Sequence, residues 1–411
     1  MAVIGGAVAG AELAGTLASA GVEVAVFEQN ARPYGKIEDG LPRWHVALRR
    51  KEYDSIGEHL SRPNVHFVPK TATGRDVGFR ELVNEWGFTA VVLACGAWRD
   101  RPLPVEGADQ YVGRGLVYQN PFIIWFNHAN EKGYQGEVFE PQDGVLVVGG
   151  GLASIDVVKV LMLETARRRL AERGIEVPML HLEVKGIPKV CDAHGLRFED
   201  LGLEGCTLFY RRRAEDMPLV EVPEGATAER AEKTLGARKK LLEKAMEKYR
   251  FKLEPLCMPE ELLVEGGRLA GLRFRRTRAE AGKILPTDES FERRGPYVIS
   301  SIGSIPLPLD GIPMKGELFA FSDWELGRLP EYPTVFSAGN VATGKGNIVA
   351  SRKHSISVAK AMLAGFLAEQ PAIDAAKLAR LRERVRGRQQ AVGYGGEYAK
   401  WIAEVTPPDL E

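Results

Sequence analysis

Two short apolar runs, each breaking into a glycine turn and then a helical stretch, constrain this chain more than any other feature. The first is Ala2-Val3-Ile4, followed by Gly5-Gly6-Ala7-Val8-Ala9-Gly10 and apolar residues at helical spacing to Ala20. Gly21 leads into a second run, Val22 to Phe27. Strand, turn, helix and strand thus fit within about thirty residues, which is the pattern of a βαβ unit. The pattern recurs at Gly144-Val145-Leu146-Val147-Val148, with Gly149-Gly150-Gly151 and a helical stretch from Leu152 to Arg168. Its answering strand, Cys206 to Tyr210, comes late, after a polar and glycine-rich segment at 172–205 that reads as an insertion. Further strands end in glycine at 91–97, 297–303 and 334–340, and helices are predicted over 226–250 and 351–368. The charged residues from about 372 onward are expected at the periphery.

Composition narrows the class. A chain of 411 residues suggests two or three domains, at roughly 150 residues each. With 45% hydrophobic and 27% charged residues it can bury a large core, which excludes a mostly disordered chain. Lys plus Arg and Asp plus Glu are each 55, so there is no basic excess of the kind that neutralises nucleic-acid phosphates. The four cysteines, at 95, 191, 206 and 257, form no CxxC pair and no metal-ligand spacing, so neither a zinc site nor a dithiol active site is expected. No apolar run reaches the ~20 residues of a membrane span. The N-terminus shows no signal-peptide pattern, and the expected location is cytoplasmic.

Each glycine loop has a charge partner. A pyrophosphate must approach backbone N–H groups at a helix N-terminus, and only small residues permit that. In the first loop Gly5, Ala7 and Gly10 hold the three positions of G-x-G-x-x-G, with Gly6, Val8 and Ala9 between them. Glu28 ends the second strand 18 residues beyond Gly10, where a carboxylate meets a ribose 2′-hydroxyl. Ala7 in the middle place is expected to tighten the turn and weaken the match. In the second loop Gly149, Gly151, Leu152 and Ala153 lead to Ser154, and the answering strand ends in Tyr210-Arg211-Arg212-Arg213 instead of an acid. Guanidinium forks suit a 2′-phosphate, and Arg211 and Arg212 are the expected ligands. A surface arginine paired with Glu215 and Asp216 is the competing reading of that cluster.

At this point the chain resembles the two-dinucleotide flavoprotein reductases of the adrenodoxin/ferredoxin–NADP reductase type, together with the glutamate synthase small subunit. Gly5 to Gly10 with Glu28 is similar to their FAD fingerprint. Tyr34-Gly35-Lys36-Ile37-Glu38-Asp39-Gly40-Leu41-Pro42 resembles the G-G-L-x-x-x-G-I-P loop beside the flavin, and Leu93-Ala94-Cys95-Gly96-Ala97 the A-T-G-A hinge. Tyr210 to Pro218 is similar to the Y-R-R-x-x-x-x-M-P stretch of the glutamate synthase subunit. Gly339-Asn340 through Gly346-Asn347-Ile348-Val349 resembles the last FAD motif. Asn340 stands where many relatives carry an aspartate.

The resemblance implies an α/β fold of two Rossmann-like, glutathione-reductase-like dinucleotide-binding domains, the NADP domain inserted in a discontinuous FAD domain. The expected boundaries are 1–115, 116–325 and 326–411, with hinges near Gly96 and Gly303. It implies the cofactors FAD and NADP(H), hydride transfer between nicotinamide and flavin, and a ferredoxin-like electron-transfer protein or other redox acceptor. The alternatives are an electron-input subunit of a larger enzyme and a nucleotide-binding flavoprotein without turnover. The catalytic residues it suggests are His45 and Glu221, against a structural histidine beside Trp44 and a surface carboxylate. Lys345 is a further positive charge that would lie near the flavin. The redox cysteine pair of the disulfide-reductase branch is missing, so disulfide reduction is not expected.

Overall fold

A computed structural model describes residues 1–222, 225–280, 282–344 and 346–407. The chain divides into two compact units, Met1–Arg99 with Asn130–Gly133 and Ser304–Glu411, and Asp100–Ala129 with Tyr134–Gly303. Each is built on its own five-stranded sheet.

In the first unit the strand order is Val335–Ser337, Val91–Leu93, Ala2–Ile4, Val24–Phe27, Val65–Val68, and every neighbour is parallel. Ala2 pairs with Ala25 on one side and with Val91 on the other. These strands read as unbroken apolar runs because both faces are buried. Val3, Val24, Val26, Phe67 and Val92 face one core, with the helices Val8–Ser19 and Ile348–Ala364. Ile4, Ala25, Phe27, Val91 and Leu93 face the other, together with Phe79, Ile312 and Phe319.

The second unit repeats the design with the order Leu116–Tyr118, Val298–Ser301, Leu146–Gly149, Thr207–Tyr210, Lys252–Pro255, again all parallel. The helix Leu152–Ala171 packs beside the central strands. The opposite face is covered by an antiparallel sheet of Cys257–Glu265, Arg268–Glu280 and Lys283–Arg294. Its contact is aromatic: Phe274 stacks on Phe209 with centroids 4.1 Å apart, and on Phe291 at 5.6 Å.

Three differences from the sequence expectations have physical causes. The second unit begins at Asp100 and ends at Gly303, not at 116 and 325. Leu103 and Ala108 belong to the same core as Leu116 and Leu146, whereas Ile312 and Phe319 are buried in the first unit. Segment 172–205 folds into the helices Met179–Lys185 and Ile187–Ala193 and a 3-10 turn, Phe198–Leu201. Buried Lys159 anchors it, with Nζ 3.0 Å from Glu183 Oε1, which also accepts from the Tyr249 hydroxyl at 2.8 Å. The C-terminal stretch is not peripheral. Tyr394, Tyr398 and Trp401 are buried in the first unit's core, edge-on to Phe67 or to one another, and Trp401 Nε1 donates to the Ala31 carbonyl at 2.8 Å. The arginines of the helix Ala375–Ala391 had dominated its composition, while its apolar face supplies Leu381 and Val385 to the other core.

Trp401→Ala should therefore destabilise the protein by about 3 kcal/mol, the usual cost of truncating a buried aromatic. Denaturant unfolding followed by fluorescence measures this, and an unchanged midpoint would return the segment to the surface.

Candidate functional site

The first glycine loop is shaped by approaches that no side chain allows. A Cβ on Gly10 would lie 1.8 Å from the Gly5 carbonyl oxygen, so the helix meets the strand backbone to backbone. Gly5, at φ 102°, would put a Cβ 2.6 Å from the Ala94 carbonyl oxygen. Ala7 fits in the middle place because Gly35 lies opposite: a Cβ there would come within 2.9 Å of the Ala7 methyl. The alanine is thus paired with a glycine supplied by the next loop. Val8 and Ala9 open the helix, and neither a side-chain cap nor an acidic residue occupies its first turn. Its leading N–H groups and positive dipole end face the turn.

Glu28 completes this loop. Its Oε2 accepts from the Gly6 amide at 2.8 Å and its Oε1 from the Asn30 amide at 2.9 Å. Burial pushes its carboxyl up to about 7, against the two amide bonds that favour the ionised form. A groove with a cavity volume of about 90 Å³ runs past it, lined by Gly5, Ala7, Gly35, Gly96, Thr73 and Trp98, with Leu307 and Leu309 contributed by a distant segment. Thr73 Oγ1 is buried without a hydrogen-bond partner among the described residues. Cys95 also lines the groove, and burial pushes its thiol up to about 12, far from a reactive thiolate. All four cysteines are free.

The remaining expected residues of this unit flank the loop. Lys36 begins the short helix Lys36–Asp39 and donates to Ser304 Oγ at 2.9 Å, and Gly40 closes that helix. Gly339, at φ 77°, abuts the glycine loop: a Cβ on it would lie 2.5 Å from the Ala9 methyl. Asn340 follows, with a buried Oδ1 that has no hydrogen-bond partner among the described residues. Gly346 precedes Asn347, whose Oδ1 accepts from the Ala350 amide at 2.7 Å and caps the helix that starts at Ile348. His45 precedes the helix Val46–Leu60, its ring 6.1 Å from that of buried Trp44, and its carbonyl accepts from the Arg49 amide. Lys345 lies outside the described residues.

The second loop uses the same backbone logic with opposite charge. A Cβ on Gly149 would meet Ser154 Oγ at 2.2 Å, and one on Gly150 would enter the Tyr210 ring at 2.1 Å. Ser154 Oγ donates to the Ser301 carbonyl at 3.0 Å and ties the loop to the neighbouring strand. Gly151 precedes the helix, whose first turn, Leu152 and Ala153 included, has no acid.

Beyond Tyr210 the three arginines part company. Arg213 is held by Asp216 at 2.9 Å and Glu215 at 3.5 Å, as the surface-cluster reading anticipated for that residue. Arg212 donates to the Gly282 carbonyl at 3.3 Å. Arg211 is exposed, and among the described residues its guanidinium makes no hydrogen bond or ion pair. Its backbone is fixed by the antiparallel sheet, since Thr277 Oγ1 donates to the Arg211 carbonyl at 2.8 Å. Glu221 is exposed in the coil beyond Leu219.

Trp98, Thr73 and the leucines at 307 and 309 were not singled out from sequence. Trp98 adjoins a motif that was, so adjacency was the available signal; the leucines come from more than two hundred positions away along the chain.

Residues 1–185 match the profile of the family described as pyridine nucleotide-disulphide oxidoreductase. The chain is 30% identical over 168 residues to cindoxin reductase of Citrobacter braakii, covering 39% of this chain and 34% of that protein. It is 32% identical over 206 residues to the NADPH-Fe(3+) oxidoreductase subunit beta of Geobacter sulfurreducens, covering 48% and 28%. The chain thus spans about a third or less of the length of these two relatives. A probable ferredoxin/ferredoxin--NADP reductase of Mycobacterium bovis is 24% identical over 415 residues, covering 95% of this chain and 68% of that one. Among solved structures, Mycobacterium tuberculosis FprA in complex with NADPH superposes with a TM-score of 0.71 at 19% identity, over 95% of this chain and 90% of that one. Thioredoxin reductase of T. acidophilum follows at 0.51 and 12% identity, over 89% and 98%. The fold is a two-domain dinucleotide-binding fold. No helix among the described residues is long and apolar enough to cross a membrane.

The Glu28 carboxyl makes folding pH-dependent. Between its ordinary value of 4.5 and about 7 the folded state keeps a proton that the unfolded chain has released, so stability falls as pH rises through that window. Glu28→Gln should flatten the fall between about pH 5 and about pH 8 by about 2 kcal/mol relative to the native chain. Denaturant melts at the two pH values measure it, and parallel pH slopes would count against a buried, protonatable Glu28.

Proposed function

We propose that this chain is an FAD-dependent oxidoreductase that moves hydride between NADPH and the flavin and passes the electrons to an acceptor, a ferredoxin-like iron–sulfur protein. One observation carries the reading: two glycine loops of like backbone design are followed by opposite charges, buried Glu28 in one and unengaged Arg211 in the other. A carboxylate there accepts from the vicinal hydroxyls of an unphosphorylated ribose and repels a 2′-phosphate, whereas a guanidinium does the reverse.

The first unit fits FAD on its own geometry. Its loop packs so closely that a Cβ at Gly5, Gly10 or Gly35 would collide with the protein's own atoms, which keeps the backbone amides of the turn uncovered by side chains. Thr73 and Asn340 hold buried polar oxygens with no hydrogen-bond partner among the described residues. Glu28 would hold the adenosine ribose, the N–H groups from Ala7 to Ala9 the pyrophosphate, and Gly35, Gly96 and the 339–348 segment the flavin end. Bound there, FAD supplies a two-electron hydride acceptor that can release electrons singly. In the second unit the amides at Gly151 to Ala153 would hold the NADPH pyrophosphate and Arg211 the 2′-phosphate. We assign His45 to orienting the nicotinamide carboxamide and leave Glu221 as a surface carboxylate. The name of one relative, an NADPH-Fe(3+) oxidoreductase subunit, supports an NADPH-to-flavin direction. The absence of a paired cysteine favours an external acceptor over a disulfide.

Purified protein reconstituted with FAD should show flavin bands that bleach anaerobically with NADPH and much less with NADH. A chain that takes up no FAD, or a flavin reduced by neither nucleotide, would overturn the proposal. Arg211→Ala should raise the KM for NADPH about tenfold or more, the loss expected for a charge-assisted phosphate contact. NADH use should stay nearly unchanged, and Arg213→Ala should do little, since Asp216 already holds that side chain. Equal losses with both nucleotides would remove the 2′-phosphate assignment.

A further inference from the structure

The turn that follows the strand Val335–Ser337 is held at a single peptide. Gly339 has φ 77° and ψ −150°, a conformation closed to residues with a side chain, and it touches Ala9 of the glycine loop. Its carbonyl is fully used: it accepts from the Ala342 amide at 3.2 Å, the Thr343 amide at 3.0 Å and Thr343 Oγ1 at 3.2 Å. Its amide donates to Nδ1 of His354 at 3.0 Å. The other ring nitrogen, Nε2, lies 2.9 Å from the Glu325 carbonyl oxygen. An amide can only donate and a carbonyl can only accept, so the two partners define the ring as the neutral form with its proton on Nε2.

The ring is carried on a rigid support. His354 lies on the helix Ile348–Ala364, which Asn347 caps. Two residues before it on the same helix, Arg352 binds Glu12 at 3.1 Å and buried Glu52 at 2.6 Å. Glu12 belongs to the helix that opens from the glycine loop, so the same helix fixes both the ring and that loop.

We propose that His354 is a positioning residue of the FAD site: by accepting from the Gly339 amide it sets the 337–344 turn against the glycine loop at Ala9, and with it the side chain of Asn340. The proposal rests on the FAD reading above. His354 is not among the residues that line the groove, and its ring bonds Gly339 and Glu325, so it acts through Gly339 and not on the cofactor itself.

Amide side chains separate the two ring contacts. Asparagine places its Oδ1 where Nδ1 stands and can accept from Gly339, but it is too short to reach Glu325. Glutamine extends toward the Nε2 position and can donate to Glu325 instead. In the 411-residue chain freed of flavin, His354→Ala should weaken FAD binding about tenfold, the effect of one lost hydrogen bond. Fluorescence titration reads this, with the visible bands of the bound flavin as a second signature. His354→Asn should restore affinity to within about threefold of the native chain, and His354→Gln should resemble alanine. NADPH affinity, read in the same variants, should not move. The positioning role falls if alanine leaves FAD affinity unchanged, or if asparagine and glutamine restore it equally. Native protein that binds no FAD would sink the FAD reading and this role with it, whereas tight FAD binding indifferent to residue 354 would sink the role alone.

Discussion

The helix Val8–Ser19 can lie against its strand only because Gly10 has no side chain. The Gly5 carbonyl occupies the space where a Cβ would stand, 1.8 Å from its ideal position, and there is no flexible neighbour to yield. Everything in the first unit is registered from that contact. The helix N-terminus comes level with the strand ends, its leading amides point into the turn, and the Gly6 amide reaches Glu28 at the end of the adjacent strand. The neighbouring glycines extend the same economy of space: Gly35 admits the Ala7 methyl and Gly339 admits that of Ala9. A middle alanine in the loop is therefore one half of a steric pair whose other half lies outside the motif.

Electrostatics then separates two units that share a backbone plan. In the first, a carboxylate is drawn into the protein, satisfied by two amides and still pushed up by burial. In the second, the equivalent strand end carries three arginines, and local acids decide which is spent. Asp216 and Glu215 neutralise Arg213, a backbone carbonyl takes Arg212, and the Arg211 guanidinium makes no hydrogen bond or ion pair among the described residues. The Arg211 backbone is in turn held by the antiparallel sheet, through Thr277 Oγ1 at 2.8 Å. Charge and rigidity thus meet at a single residue.

The supporting contacts in the first unit are long in sequence and short in space. Arg352 joins Glu12 and Glu52, the second of them fully buried, across 340 and 300 positions of chain. Breaking one partner of such a set leaves an uncompensated charge inside the protein, so the three helices it joins are held to one arrangement. Tyr398 packs edge-on to Phe67 on the edge strand of the same sheet, and Trp401 reaches the Ala31 carbonyl.

Much of this was legible before the fold was known, for a physical reason. Strand–glycine–helix turns are local: the close approaches at Gly5, Gly10 and Gly149 are made within a few residues or to the adjoining strand, so motif spacing alone announces them. Glu28 was equally legible, since its distance along the chain is set by the length of one helix; the arginine cluster comes only after the 172–205 segment and was legible from its charge at a strand end. The covering sheet of 257–294 was not, because its alternation of Leu272 and Phe274 with Arg273 and Arg275 acquires meaning only against Phe209. The C-terminal aromatics were hidden behind charge, which reports on the exposed face of a helix and not on the buried one. By itself the sequence determined two dinucleotide loops and the sign of charge beside each, since those are properties of short segments. Only tertiary structure decided which arginine stays free, why Ala7 fits, and that His354 answers the Gly339 amide. Each of these depends on groups brought together by packing across a long stretch of chain, where spacing in sequence carries no record of distance in space.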